Sequence, residues 1–228
     1  MTACEALASG ALTLLPERAV WSARERTLFV ADLHLGKAAA FRAAGAPAPY
    51  GASAETLRRL GALSDAAAAE RLVILGDFAH ALASMTEGLA ESLRAWRRAR
   101  AALDCLIVLG NHDRRAAPLY AGCGFPSADE PALVAGVACR HHPLDGEAGE
   151  PGPATLAGHL HPVARLTGRG RDSLRLPCFV IEGRQIVLPA FGEFTGGWLV
   201  RPEPGRRIVL VAPDRLIDLP RPAPPSAA

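Results

Sequence analysis

The segment Gly110-Asn111-His112-Asp113 closes an apolar run, Leu106 to Leu109, by presenting an amide, an imidazole and a carboxylate in three consecutive positions. Four other clusters have the same character. Asp32-Leu33-His34 follows TLFVA, and Gly76-Asp77 with His80 follows RLVIL. Arg140-His141-His142-Pro143 and Gly158-His159-Leu160-His161 each end a short apolar run. These five clusters hold all seven histidines of the chain, His34, His80, His112, His141, His142, His159 and His161. Histidines serving only as core or surface residues have no reason to avoid the helical segments and collect at strand ends.

Imidazole nitrogens with carboxylate and amide oxygens, and no thiolate among them, form a donor set for Mn, Fe, Zn or Co rather than for a structural zinc site. On an extended segment residues two apart point to one side. Asp32 and His34 can then face one point together, as can His159 and His161. Asp77 and Asn111 each follow a glycine, which permits close backbone approach. Asp32, His34, Asp77, Asn111, one of His141 and His142, His159 and His161 are too many donors for one tetrahedral ion. They suit two divalent ions sharing a carboxylate, ~3.5–4 Å apart, as in two-metal hydrolases. Two such ions with only two aspartates leave the site formally positive, matched to a phosphodiester anion. Taken singly, Asp-Leu-His is equally a capped turn, and Asn-His-Asp a turn satisfying local backbone groups. The five clusters together favour a metal centre.

Such a centre needs strand ends brought together. TLFVADLH (27–34), RLVILGD (71–77) and DCLIVLGNHD (104–113) read as continuous apolar strands. Residues 52–70 and 85–103 between them have helical spacing, with Thr86 as a cap. This alternation predicts an α/β layer with a buried, largely parallel sheet, whose carboxyl ends are where ligands bind. After about residue 130 short strands separated by Gly/Pro turns predict a second sheet packed on the first. The tail PRPAPPSAA is expected to be disordered.

Composition bounds the rest. The chain has 228 residues, half of them hydrophobic, and a net charge of +2, too balanced to identify a nucleic-acid binder. Five scattered cysteines without CxxC spacing suggest reduced thiols in a cytoplasmic protein. The mildly apolar stretch 6–15 lacks a basic flank and a cleavage site, so no signal peptide is expected, and no run reaches the ~20 residues of a membrane span.

In this order, D-x-H, G-D, G-N-H-D, H-x-P and G-H-x-H resemble the calcineurin-like metallophosphoesterase superfamily, over about Asp32 to His161. More narrowly, ADLHLGKAAAFRAAGAPAP, LGDFAH and LPAFGEFTGG look like the ligase-associated DNA damage response phosphoesterases of the PdeM type, over nearly the whole chain. The resemblance implies a four-layer sandwich of two mixed sheets flanked by helices, as one domain over 1–219 with the tail at 220–228. It implies one metal on Asp32, His34, Asp77 and His161 and a second on Asp77, Asn111, His141 and His159, Asp77 bridging. It makes His112 a general acid or phosphate-stabilising group, oriented by Asp113. His141 is the chosen ligand of the RHHP pair, and His142 could exchange with it. The ions would be manganese first, with iron, zinc or cobalt as alternatives.

The implied activity is phosphodiester hydrolysis, as a DNA endonuclease or end-processing enzyme beside an ATP-dependent ligase and a helicase. A homodimer is possible and no membrane partner is expected. The alternatives are a small-molecule or nucleotide phosphodiesterase or phosphomonoesterase, and a metal-loaded scaffold in a repair assembly. His80, Lys37 and Arg42 lie near the motifs and are open between substrate contact and ordinary surface roles. In RAWRRAR (94–100) the arginines fall on several sides of a helix, which favours a solvated face over a nucleic-acid contact. Arg114 and Arg115 could hold a phosphate or pair with a surface carboxylate.

Overall fold

The computed structural model describes residues 12–144, 152–168 and 173–222. Most of the tail, and Cys4, lie outside the described residues. β1 (Leu12–Leu15) and β2 (Ala19–Ser22) form an antiparallel hairpin that feeds β3 (Thr27–Ala31). From there the chain alternates: α1 (Lys37–Ala43), α2 (Ala52–Ala66), β4 (Arg71–Leu75), α3 (Glu87–Arg98), β5 (Asp104–Val108), α4 (Ala117–Gly122) and β6 (Ser127–Ala128). A single 3-10 turn, Leu82–Ser84, precedes α3. Strands β3, β4, β5 and β6 run parallel, so the first sheet has the order β1-β2-β3-β4-β5-β6 and is mixed.

The second sheet is built from β7 (Ala132–Val134), β8 (Val137–Cys139), β9 (Ala154–Ala157), β10 (Pro162–Thr167), β11 (Ser173–Glu182), β12 (Gln185–Val187), β13 (Trp198–Leu199), β14 (Arg206–Val211) and β15 (Leu216–Asp218). Its main path is β13-β10-β11-β12-β9-β8-β7, with β14 and β15 added at β11, and β8, β9 and β12 are parallel to one another. The architecture is the expected pair of mixed sheets flanked by helices.

Alternation of side chains along the strands sorts the core into layers. Leu28, Val30, Leu72, Ile74 and Ile107 meet Leu57 and Leu60 of α2 and Leu93 and Trp96 of α3. Their neighbours Phe29, Ala31, Val73, Leu75 and Val108 face the other way, against Leu156, Phe179, Ile186 and Val209 of the second sheet. Strands β3, β4 and β5 are thus covered on both faces, which is why they read as continuous apolar runs. The outer face of the second sheet carries a smaller cluster around Cys178, Val180, Ile208 and Leu210. Cys105, Cys123, Cys139 and Cys178 are free and buried.

Helix α3 starts as expected, with Thr86 accepting from the Leu89 N–H at 3.3 Å. Three of the four arginines of RAWRRAR serve the fold, and Arg98 is exposed. Arg94 pairs with Glu87 and Arg100 with Asp65, while Arg97 donates to the Leu103 carbonyl and Trp96 to that of Leu57. The stretch 6–15 contributes Leu12–Leu15 to the first sheet, a strand not expected from its composition. No described helix is long and apolar enough to cross a membrane.

Candidate metal centre

All five clusters sit at one edge of the sandwich, at the carboxyl ends of β3, β4 and β5 of the first sheet and β8 and β9 of the second. The loops after β3 and β4 zip together beyond the strands. The amides of His34 and Leu35 donate to the carbonyls of Asp77 and Phe78, and the His80 amide donates back to Leu35. The segment after β12 closes over the first motif, Phe191 N–H donating to the Ala31 carbonyl and Gly192 N–H to that of Asp32.

The expected convergence occurs by a different local route from the extended one. Asp32, His34, Asp77, His159 and His161 all have left-handed backbones, with φ of 53°, 46°, 46°, 71° and 46°. For residues other than glycine this region costs roughly 1–2 kcal/mol each, so such strain concentrates where a site requires it. Because the backbone turns at each of these residues, His159 and His161 do not share a side. His159 Nδ1 lies 3.0 Å from His141 Nε2, whereas His161 Nε2 lies 3.1 Å from His34 Nε2.

The glycines have a steric reason. A Cβ on Gly76, whose φ is +72°, would stand 2.0 Å from His141 Nδ1. One on Gly110 would meet Asp77 Oδ1 at 2.6 Å, and one on Gly158 would meet Asp32 Oδ2 at 2.8 Å. Each glycine vacates the space taken by a donor from another strand.

Two halves result, joined by Asp77. In one, Asp77 Oδ2 is 3.6 Å from His34 Nε2, and Asp32 Oδ1 is 3.6 Å from His161 Nε2. In the other, His141 Nε2 is 2.9 Å from Asn111 Oδ1 and 3.5 Å from Asp77 Oδ1. Donor separations near 3 Å are those imposed by an ion with bonds of ~2.0–2.2 Å. Asp32, His34 and His161 can hold an ion together, as can Asp32, Asp77 and His141, or His141, His142 and His159.

The hydrogen bonds around these groups fit cations. His141 Nδ1 is 3.3 Å from the Leu75 carbonyl and His161 Nδ1 is 3.2 Å from that of Thr195. A ring donating there when neutral turns a lone pair on Nε2 inward. His141 Nε2 then faces Asn111 Oδ1 and Asp77 Oδ1, acceptor against acceptor. Asp32 Oδ1 is buried without a hydrogen-bond partner among the described residues. Such crowding of lone pairs is costly unless a cation lies between them.

Ionisation agrees with this for His34 and His159 and not for His161. Burial, then the neighbouring His161, Lys37, His112 and His80, push His34 down to about 2, so its imidazole is neutral and able to ligate. Burial also lowers His159. His161 is pulled down by burial, but the attraction of the Asp32 carboxylate, 3.6 Å away, outweighs that and raises it. Burial raises Asp77, with Asp32 adding repulsion and His141 opposing. Without bound cations, Asp32 disfavours the charge on Asp77.

Asp113 departs from expectation. Its Oδ1 accepts from the Phe78 amide at 3.0 Å and the Tyr120 hydroxyl at 2.8 Å, and its Oδ2 from the Gly110 amide at 2.9 Å. It ties the loop after β4 to the loop after β5 and makes no hydrogen bond to His112. Three N–H and O–H donors in a fully buried pocket satisfy it, so it positions loops rather than an imidazole. His112 is held by its own amide, which donates to Asp77 Oδ1 at 3.2 Å, and its side chain is exposed at the mouth of the site.

Between the two candidates in RHHP, His141 is fully buried among the other donors, whereas His142 bonds Glu130 Oε1 at 2.6 Å. Glu130 Oε2 also accepts from the amides of His141 and His142, both at 2.9 Å. Sequence reasoning missed this clamp, because no motif surrounds a lone glutamate in a turn. It also missed Thr195, whose carbonyl receives both His161 Nδ1 and Lys37 Nζ. Lys37 is partly buried beside the two aspartates rather than solvated. His80 stands against the rings of His34 and His112. Arg114 pairs with Asp129 on the surface, 3.3 Å apart.

No family model matches the chain, and no curated protein matches it. Among solved structures, that of the Pseudomonas putida nuclease MPE is similar, with a TM-score of 0.80 and 38% sequence identity over 96% of this chain and 99% of that one. At that identity, and with nearly all of both chains aligned, this chain belongs to the family of the Pseudomonas putida nuclease MPE.

Proposed function

We propose that the protein is a calcineurin-like metallophosphoesterase that hydrolyses phosphodiester bonds, with DNA as its substrate. The observation that carries this reading is the meeting of acceptor atoms from five strand ends, with Asp77 presenting one oxygen to each half. Asp32, His34, Asp77 and His161 would hold one divalent ion, and Asp77, Asn111, His141 and His159 the other. Ions bound there supply Lewis acidity toward a phosphoryl group and a water nucleophile. Manganese is the first candidate, since a mixed nitrogen and oxygen set accepts several first-row ions.

The remaining work falls to this chain's own groups. His112, exposed and anchored through its amide to Asp77, is in place to hand a proton to the departing oxygen. Lys37, fixed by the Thr195 carbonyl, adds positive charge beside the aspartates. Asp113 with Tyr120, and Glu130, hold the loops that carry these groups. The relative's being a nuclease, together with the ligase-associated sequence pattern, supports a role in DNA end processing beside a ligase and a helicase.

The test compares a simple phosphodiester, a phosphomonoester and DNA as substrates with added Mn²⁺. Wild type should cleave the diester and DNA, while His112→Ala loses on the order of 10²-fold or more in kcat, as for removal of a general acid, and Asp77→Asn, which alters the shared carboxylate, loses most of its activity. Activity confined to small esters would replace DNA with a small-molecule substrate. Bound metal without turnover of any ester would leave a scaffold protein.

A further inference from the structure

We infer that the cavity behind His80 binds the nucleoside attached to the phosphate under attack, an inference that rests on the phosphoester reading above. The cavity has a volume of about 760 Å³, within the ~300–1,000 Å³ of small-ligand sites. It lies between α1, the loop entering α2, the 3-10 turn and the first turn of α3. His80 is the wall it shares with the metal centre. The ring of His80 stacks on that of His112, with centroids 5.6 Å apart and planes inclined by 28°, and meets His34 edge-on at 5.9 Å. A group in the cavity is therefore one imidazole away from the reacting phosphate.

The lining defines the ligand. Methyl groups dominate it, from Ala40, Ala43, Ala54 and Ala83 among others, and no carboxylate takes part. Arg42 and His80 are its only ionisable side chains. Without an anionic donor the cavity does not suit a cation. The hydroxyls of Ser53, Thr86 and Ser92 in the lining already bond the backbone of Gly36, Leu89 and Gly88, which leaves three further polar features. Ser84 is 6% exposed, lines the cavity, and its hydroxyl has no partner among the described residues. Helix α2 starts in the wall at Gly51 with no side-chain cap, leaving peptide N–H groups for an acceptor. At the rim Arg42, one of whose guanidinium nitrogens donates to the carbonyls of Ala48 and Pro49, lies over the Tyr50 ring, 4.2 Å from its centroid, and Tyr50 is 87% exposed. Apolar walls for a flat ring and a sugar, neutral donors for their oxygens, and a guanidinium for phosphate charge together describe a nucleoside phosphate.

The experiment uses two diesters with the same leaving group, thymidine 5′-(p-nitrophenyl phosphate) and methyl p-nitrophenyl phosphate, with Mn²⁺ present. Ala83→Leu, at an exposed position outside the metal centre, narrows the cavity, and Ser84→Ala removes the unpartnered hydroxyl. The expected result is that Ala83→Leu lowers kcat/KM for the thymidine diester at least tenfold and changes the methyl diester less than twofold. Ser84→Ala should show a smaller loss of the same kind. Equal losses on both diesters, or no loss on the thymidine diester, would overturn the assignment. Should neither diester be hydrolysed, the phosphoester reading fails, and calorimetric binding of thymidine 5′-monophosphate decides the cavity separately. Binding by wild type that Ala83→Leu abolishes would sustain a nucleoside site, and absent or unchanged binding would refute it.

Discussion

At the scale of single residues, the site depends on backbone conformations that most side chains avoid. Gly76 combines a positive φ with the absence of a Cβ that would collide with His141. Gly76→Ala should therefore cost about 1–2 kcal/mol from the backbone alone, and displace His141 in addition. Thermal unfolding and metal content of this variant should both fall, whereas loss of stability with full metal content would mean His141 is not held as described. The neutral histidines have a consequence for pH. His34 is at about 2 in the folded chain against an ordinary 6.5, so below pH 6.5 the unfolded chain takes up a proton that the folded chain refuses. This contribution is complete above pH 6.5 and declines as pH falls toward 2. His80 and His159, also lowered, act in the same direction, and His161, raised, opposes them. Chelator-treated protein should melt at a lower temperature at pH 5 than at pH 7.5; an equal or higher Tm at pH 5 would contradict the buried neutral state of His34.

At the scale of elements, the loops beyond β3, β4, β5, β8 and β9 are braced by carboxylates that ligate nothing. Asp113 joins two of them and Glu130 fixes the RHHP turn. Tyr120→Phe removes the hydroxyl held by Asp113 and should cost about 1.5–3 kcal/mol, the range for a hydrogen bond to a charged group. The amides of Phe78 and Gly110 stay paired with Asp113, so the cost should appear in denaturant unfolding with metal binding retained. A loss under 0.5 kcal/mol would show that Asp113 is satisfied without Tyr120. The elements themselves were legible where periodicity was strong. Strands β3, β4 and β5 and helices α2 and α3 follow from apolar runs and helical spacing, because both faces of the strands and one stripe of each helix are buried. The β1–β2 hairpin was not legible, since LTLL and AVWS are short and their pairing depends on β3. The seven candidate ligands were legible as residue types next to strand ends. Their supporting groups were not, because a hydrogen bond from Glu130 or Thr195 leaves no pattern in the chain.

At the scale of the whole molecule, two sheets bring their strand ends to one edge, and neither sheet alone completes the donor set. β3, β4 and β5 supply Asp32, His34, Asp77 and Asn111, while β8 and β9 supply His141, His159 and His161. The centre therefore forms only when the sheets pack through Phe29, Val73, Leu156 and Phe179, and metal binding should be linked to the stability of that packing. The most direct test of the account is the stoichiometry of Mn²⁺ bound to metal-stripped protein, measured by calorimetry with elemental analysis of the product. Two ions per chain for wild type, with at least one lost in Asp77→Asn, is the predicted result. One ion or none per chain for wild type, or two retained in Asp77→Asn, would contradict a centre bridged by Asp77.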